Sequence, residues 1–294
     1  MRVNPTPMPD LLAALSRTRR DTQQALLELS SGRRVNQPSD DPAAAVLVQN
    51  HDQTTFTARY LQSLSSIQGQ FQTADAALSS VIVALTRALS LGVEGANGTL
   101  SDTDRAAVAG ELQGVQDQLV SLANTSFQGR PLFAGTLTNS SPFVADNTSP
   151  SGVRYDGNDA VNTVQIGDGY QIAANKPGSQ LFVAPGHDVF LAMSGLIQAM
   201  QSNSGFDAAI TALRDAFDYI SGQRVFYGNT MNQALAQTNS LGNVKLQLSQ
   251  QENTLASTDF EDAASRLVNS QAATNATLTA IGRISQLSLF DYLK

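Results

Sequence analysis

The sequence has no cysteine. Disulfides, thiol nucleophiles and thiolate metal sites are therefore excluded. Tryptophan is also missing, and charge is scarce: only 15% of the 294 residues are Asp, Glu, Lys or Arg. What charge there is sums to −7, so no row of phosphates would be neutralised and nucleic acid is not an expected partner. No apolar run reaches the roughly eighteen residues that a bilayer span needs; the best candidate, 78–93, is interrupted by Arg87. The N-terminus, MRVNPTPMPDLL, has three prolines and no apolar core segment, which is not the pattern of a cleavable secretory signal. A cytosolic chain is expected, or one exported by a route that leaves its N-terminus intact, with no membrane partner.

Catalytic signatures are missing too. There is no GxGxxG, no GxxxxGK[ST], no GxSxG and no HExxH. The only histidines are His51 and His187, each with just an adjacent aspartate, and adjacent helical residues point apart. Asp40 and Asp41 could be imagined as an acid/base pair, but helix capping explains both. No catalytic, cofactor or metal site is expected, and the chain is not read as an enzyme.

What is present is apolar periodicity. Hydrophobic residues make up 41% of the chain, enough for a core and for two or three domains. Of its 18 basic residues all but three are Arg, a side chain suited to bidentate, partly buried pairing. The most informative stretch is 29–46, LSSGRRVNQPSDDPAAAV. Gly32 is a helix stop, because only Gly enters the left-handed conformation without a Cβ penalty. Pro38 makes the next residues an extended connector, and Asp41-Pro42 restarts a helix with a carboxylate cap and Pro in its first turn. It is a joint between two rods.

Before the joint, residues 1–10 read as a non-helical lead, with Asp10 capping a helix whose apolar stripe is Leu11, Leu15, Leu26 and Leu29. After it, a proline-free pattern runs from 42 to about 91, a rod of about 75 Å at ~1.5 Å per residue. Its stripe includes Val46, Phe56, Tyr60, Leu64, Ile67, Phe71, Leu78, Val81, Leu85 and Leu89. Ser101 caps a further helix with Asp102 and Asp104 at its positive end. Gly110 and Gly114 either allow close helix approach there or weaken the turn. From 127 to 183 the period changes to short β-type runs, PLFAG, GVRYDG, AVNTVQIG, GYQIAAN and QLFVA, punctuated by turn residues. Helices return over 189–201, from about 206 to 255, and from about 259 to 293, the last capped by Thr258 or Asp259.

These motifs carry a resemblance. LSSGRRVNQPSDDPAAA resembles the N-terminal signature of bacterial flagellins and their hook-associated relatives. FQGRPLFAGTLTNSSPF with YDGNDAVNTVQIGDGYQI is similar to the helix-to-β junction and β-domain of the hook–filament junction branch, and VFLAMSGLIQAM to its return helix. Gly228-Asn-Thr-Met-Asn232 matches a Gly-x-x-x-Asn element. The C-terminal 257–294 resembles the family's last helix, ending Ser288-Leu289-Phe290-Asp291-Tyr292-Leu293, with Phe where Leu is common. Filament flagellin is the nearest alternative, a secreted coiled adhesin or effector comes next, and an enzyme is a distant third.

The resemblance implies a mainly α fold: an elongated antiparallel coiled-coil bundle of the two chain halves with a small antiparallel β-domain inserted. It implies a terminal domain at 1–40 and 256–294, a rod domain at 41–130 and 186–255, and a β-domain at 131–185. The implied role is structural, copies stacking head-to-tail into a tube at the junction of hook and filament. The implied partners are further copies of itself, a hook-side junction protein of the hook-associated protein 1 type, flagellin, and a cytoplasmic export chaperone, with type III export to the extracellular flagellum. Arg33, Arg34, Asp40 and Asp41 are candidates for fixing the joint or bridging subunits. Leu11, Leu15, Leu26 and Leu29, with Leu267, Leu278, Ile281, Leu287 and Leu289, are the expected coil positions, left unsatisfied until other copies cover them.

Overall fold

The computed structural model describes residues 8–36, 42 and 44–292, the stretch 284–292 as backbone only. Among these residues, helix α1 is Met8–Ser31, α2 Ala44–Gly95 and α3 Asp102–Ala123. Six short strands follow: β1 Ser126–Phe127, β2 Arg130–Pro131, β3 Phe143–Ala145, β4 Val153–Tyr155, β5 Thr163–Gly167 and β6 Tyr170–Ala173. The chain closes with α4 Gly178–Leu181, α5 Val189–Ser202, α6 Phe206–Ala256 and α7 Phe260–Tyr292. It is mainly α, with small antiparallel ladders, in the order that the periodicity predicts.

The cap chemistry explains most boundaries. Ser101 and Asp104 form a reciprocal capping box on α3, the Ser101 Oγ accepting from the Asp104 N–H at 3.2 Å. Asp188 caps α5 through the Leu191 N–H at 2.9 Å, and Asp259 accepts from Glu261 N–H at 3.0 Å at the start of α7. Gly32 ends α1 at φ +67°. The N-terminal boundary differs from expectation. Residues 8–10 are helical, because Pro9 sits in the first turn, where a missing N–H costs nothing. Asp10 therefore lies within that turn rather than capping it.

The described residues form two compact units. One comprises Thr57–Gly242. Within it the α2 stripe from Leu64 to Leu91 packs against α3, α5 and the first part of α6 as one apolar core. Leu78, Val81, Leu85 and Ala88 are fully buried in it. By length and composition α2 does hold a stretch sufficient to cross a membrane, contrary to the reading above; here that apolarity serves the core, since one face of the helix is covered by its neighbours. Phe71, Phe226 and Tyr227 meet edge to face, and burial pushes the Tyr227 phenol up, with nearby Asp75 adding to the shift. Arg224 grips Asp75 with two bonds of 2.7 and 2.8 Å.

The β region of this unit is three separate two-stranded antiparallel ladders, β1–β2, β3–β4 and β5–β6, rather than one sheet. Their fixing is by side chains. Phe143 on β3 inserts among Tyr155, Phe182 and Phe190, with centroids 5.1, 5.3 and 5.3 Å away. The Asn124 amide, at the C-cap of α3, pairs with the Phe143 backbone like a strand edge, at 2.7 and 2.9 Å. QLFVA is not a strand: Leu181 ends the short helix α4 and Phe182 is its C-cap, both buried. A run of apolar residues is ambiguous between the two states, and here the core recruits it as a turn of helix. Gly110 and Gly114 face open space, so they serve no close helix approach among the described residues.

The other unit comprises the described parts of Met1–Phe56 and Asn243–Lys294. It contains α1, the start of α2, the end of α6, and α7.

Candidate assembly surface

Within the terminal unit, α1 and α7 run side by side, and the residues they bury against each other are small or polar. Ala25 and Ala263 are fully covered. Thr22 Oγ1 donates to Ser270 Oγ at 3.0 Å. Glu28 is only 1% exposed, and Arg266 reaches it with Nη2 at 2.5 Å and Nη1 at 3.3 Å. Arg266 is steadied from behind by Asp262, which accepts from its Nε at 2.9 Å. The bond to Glu28 is the main reason that the Arg266 guanidinium stays above its ordinary range.

Where α1 ends, the chain meets the connection between α6 and α7. Arg33 lies opposite Ser257 as an antiparallel bridge. The Arg34 N–H donates to the Ala256 carbonyl at 2.7 Å, and the Thr258 N–H to the Gly32 carbonyl at 3.2 Å. The Arg34 guanidinium donates to the Leu255 carbonyl at 3.1 Å, and Arg33 pairs with Glu252. Both members of that pair are substantially solvated, so it contributes at most about 1 kcal/mol. Beside the bridge lies a cleft of about 260 Å³ between Val35, Ala44, Leu47, Val48, His51 and Glu252.

The predicted residues fall into three groups. Arg33 and Arg34 come together at the joint. Leu11, Leu15, Leu29, Leu267 and Ile281 are half-buried on the paired helices, whereas Leu26 and Leu278 are 48% and 44% exposed. Asp40 and Asp41 lie outside the described residues, as do the side chains of Leu287 and Leu289. The stripe reading missed Glu28, Arg266, Thr22 and Ser270, which occupy the seam itself. Their signal was spacing: Thr22, Ala25 and Glu28 recur every three residues, and Ala263, Arg266 and Ser270 every three or four. Leu11, Leu15 and Leu29 continue the same face of α1, half-buried, at the same three-to-four spacing. Several large apolar groups of the unit, Leu12, Leu27, Val48, Leu246, Phe260 and Val268, stand half exposed or more. Rods that carry so much uncovered apolar surface are typical of chains that bind others.

Among the described residues no three His, Asp or Glu side chains gather closely enough to hold a metal ion.

A helix-rich chain whose ends pair in this way, with hairpins inserted between its halves, is similar in plan to bacterial flagellins and their hook-associated relatives. Residues 8–138 match the bacterial flagellin N-terminal helical region. The chain is 29% identical to flagellar hook-associated protein 3 of Salmonella typhimurium, over 90% of each chain. Polar flagellin F of Vibrio parahaemolyticus is 33% identical, but over only 40% of this chain and 32% of the flagellin. A solved flagellar hook-associated protein from Vibrio parahaemolyticus shares the fold, with a TM-score of 0.68 at 24% identity, covering 74% of this chain and 100% of that one.

Proposed function

We propose that this chain is a structural subunit of the bacterial flagellum, acting at the junction between hook and filament. One observation carries the choice of junction over filament: the likeness to hook-associated protein 3 runs through nine-tenths of both chains, while that to flagellin D of Vibrio anguillarum takes in 69% of this chain and 55% of the flagellin, and that to polar flagellin F less of each. Copies stack head-to-tail into a short helical tube, an outcome of any heterologous interface whose rotation repeats. The terminal segments 1–40 and 256–294 form the inner tube, the long helices 41–130 and 186–255 the next shell, and 131–185 the outermost part. The uncovered apolar groups of the terminal unit are the surface that neighbouring copies cover. The work done is mechanical, through surfaces rather than through bond chemistry.

The neighbours in this reading are a hook-side protein of the hook-associated protein 1 type and flagellin. The subunit reaches them after export through the flagellar type III apparatus, escorted in the cytoplasm by a chaperone, and resides outside the cell. Deleting the gene tests the placement: hooks should persist and flagellin should be shed into the medium. Filaments still attached to hooks in the deletion strain would refute it. Complementation with Arg33→Glu/Arg34→Glu should restore export but not full filament attachment, because both side chains anchor the joint. Wild-type motility in that strain would remove the arginines from the assignment.

A further inference from the structure

The terminal unit has a partner-choice problem. Its helices expose leucine, valine and phenylalanine on several sides, so apolar contact alone does not tell α1 which helix to pair with. Within the seam the chemistry is different. Glu28 is as buried as the alanine beside it, yet it is a carboxylate. A carboxylate without a counter-charge is costly to desolvate, so any surface laid over this face of α1 must bring a cation to the right place. Arg266 brings it, with two nitrogens on the two carboxylate oxygens, and Asp262 aims it. Thr22 and Ser270 add a second polar match further along.

We propose that Glu28 and Arg266 are the specificity determinants that reserve this face of α1 for α7 of the same chain and reject apolar helices of other copies. The seam is thereby kept intramolecular, and the exposed apolar groups, such as Leu12, Leu27 and Val268, are left for contacts between copies. An uncompensated Glu28 disfavours an α1–α1 pairing, whereas Arg266, part-solvated and paired with Asp262, is the partner that relieves it. Buried ionic groups are used in this way elsewhere, where they specify a pairing at some cost in stability. The proposal rests on the assembly reading only for why discrimination is needed.

The absence of cysteine makes the test clean. In the full chain, Thr22→Cys with Ser270→Cys places two thiols at the seam, and mild oxidation should give a crosslinked monomer. Glu28→Arg alone, or Arg266→Glu alone, should cut that crosslink at least tenfold. The double exchange, Glu28→Arg with Arg266→Glu, should bring it back. Glu28→Leu with Arg266→Leu removes the discrimination and should divert crosslinks into covalent dimers that increase with protein concentration. Single reversals that crosslink like the parent, a double exchange that does not recover, or a leucine pair that crosslinks only within one chain would each overturn the proposal. These readings are taken on the free chain before any assembly, so a failure here is visible separately from a failure to build the junction.

Discussion

Replacing Phe143 by alanine removes the ring on which the β3–β4 hairpin is anchored. The side chain is 1% exposed and is enclosed by Tyr155, Phe182 and Phe190. An aromatic side chain of this kind buries about 150–250 Å². At about 25 cal/mol per Å² its removal forfeits several kcal/mol, and measured Phe-to-Ala changes in cores fall at about 3–5 kcal/mol once the cavity is included. The edge-to-face contact with Phe182 belongs to the same loss, at about 1 kcal/mol. We expect about 4 kcal/mol in all, a large part of the ~5–15 kcal/mol that holds a typical domain. Val144, the next residue on the strand, points to the other face and is 37% exposed, so Val144→Ala should cost less than about 0.5 kcal/mol. The assay is equilibrium urea unfolding followed by far-UV circular dichroism, with the near-UV tyrosine signal reporting the packing around Tyr155. A loss under about 1.5 kcal/mol for Phe143→Ala, or equal losses at the two positions, would show that the ring does not anchor the hairpin.

Three further outcomes follow from the same structure. At Gly32 a Cβ would meet Phe260 at an ordinary 3.6 Å, but φ is +67°, so Gly32→Ala should lose about 1–2 kcal/mol through backbone strain alone, with Gly32→Asn losing less in the same urea titration. Ser101→Ala dissolves the capping box and should cost about 1 kcal/mol, seen first as faster amide hydrogen exchange in the opening turn of α3. Burial raises the Asp188 carboxyl above its ordinary 3.8, so the folded chain binds that proton more tightly than the unfolded chain does. The burial penalty on the charged form is then present in full above the raised value and is relieved as pH falls through it. Asp188→Asn keeps the cap on Leu191 and lacks this titration, so its thermal midpoint relative to the parent should be highest near neutrality and decline as the pH is lowered toward 3.8.

Long, strongly patterned elements were readable from the residues. The rod after the joint, the cap at Ser101, the return helix after Asp188 and the stop at Gly32 all follow from periodicity and end chemistry, which are local. Tertiary choices were not. QLFVA has the composition of a strand, and only the aromatic cluster that receives Phe182 makes it a turn of helix. The turn residues around 155–158 and 166–170 were legible, but whether the strands between them join into one sheet depends on pairing across the whole insert. The helix seam was the larger miss. A search for leucine stripes finds the half-buried positions of α1 and α7, whereas the most buried contact consists of alanine, threonine, serine and one ion pair. Burial of Glu28 has no counterpart in composition, because its partner lies 238 residues away. The joint, by contrast, advertised itself through Gly32 and the two arginines, although the backbone bridge to Ser257 could be known only from the fold.

The three hairpins share no hydrogen-bond ladder, and this sets how the insert can change. In a continuous sheet, lengthening one strand disturbs the register of the next. Here a peptide grafted at the exposed Asp168–Gly169 turn would leave the pairing of the other two ribbons untouched. The insert is thus free to diversify ribbon by ribbon, while the helices that hold it are constrained by their common core.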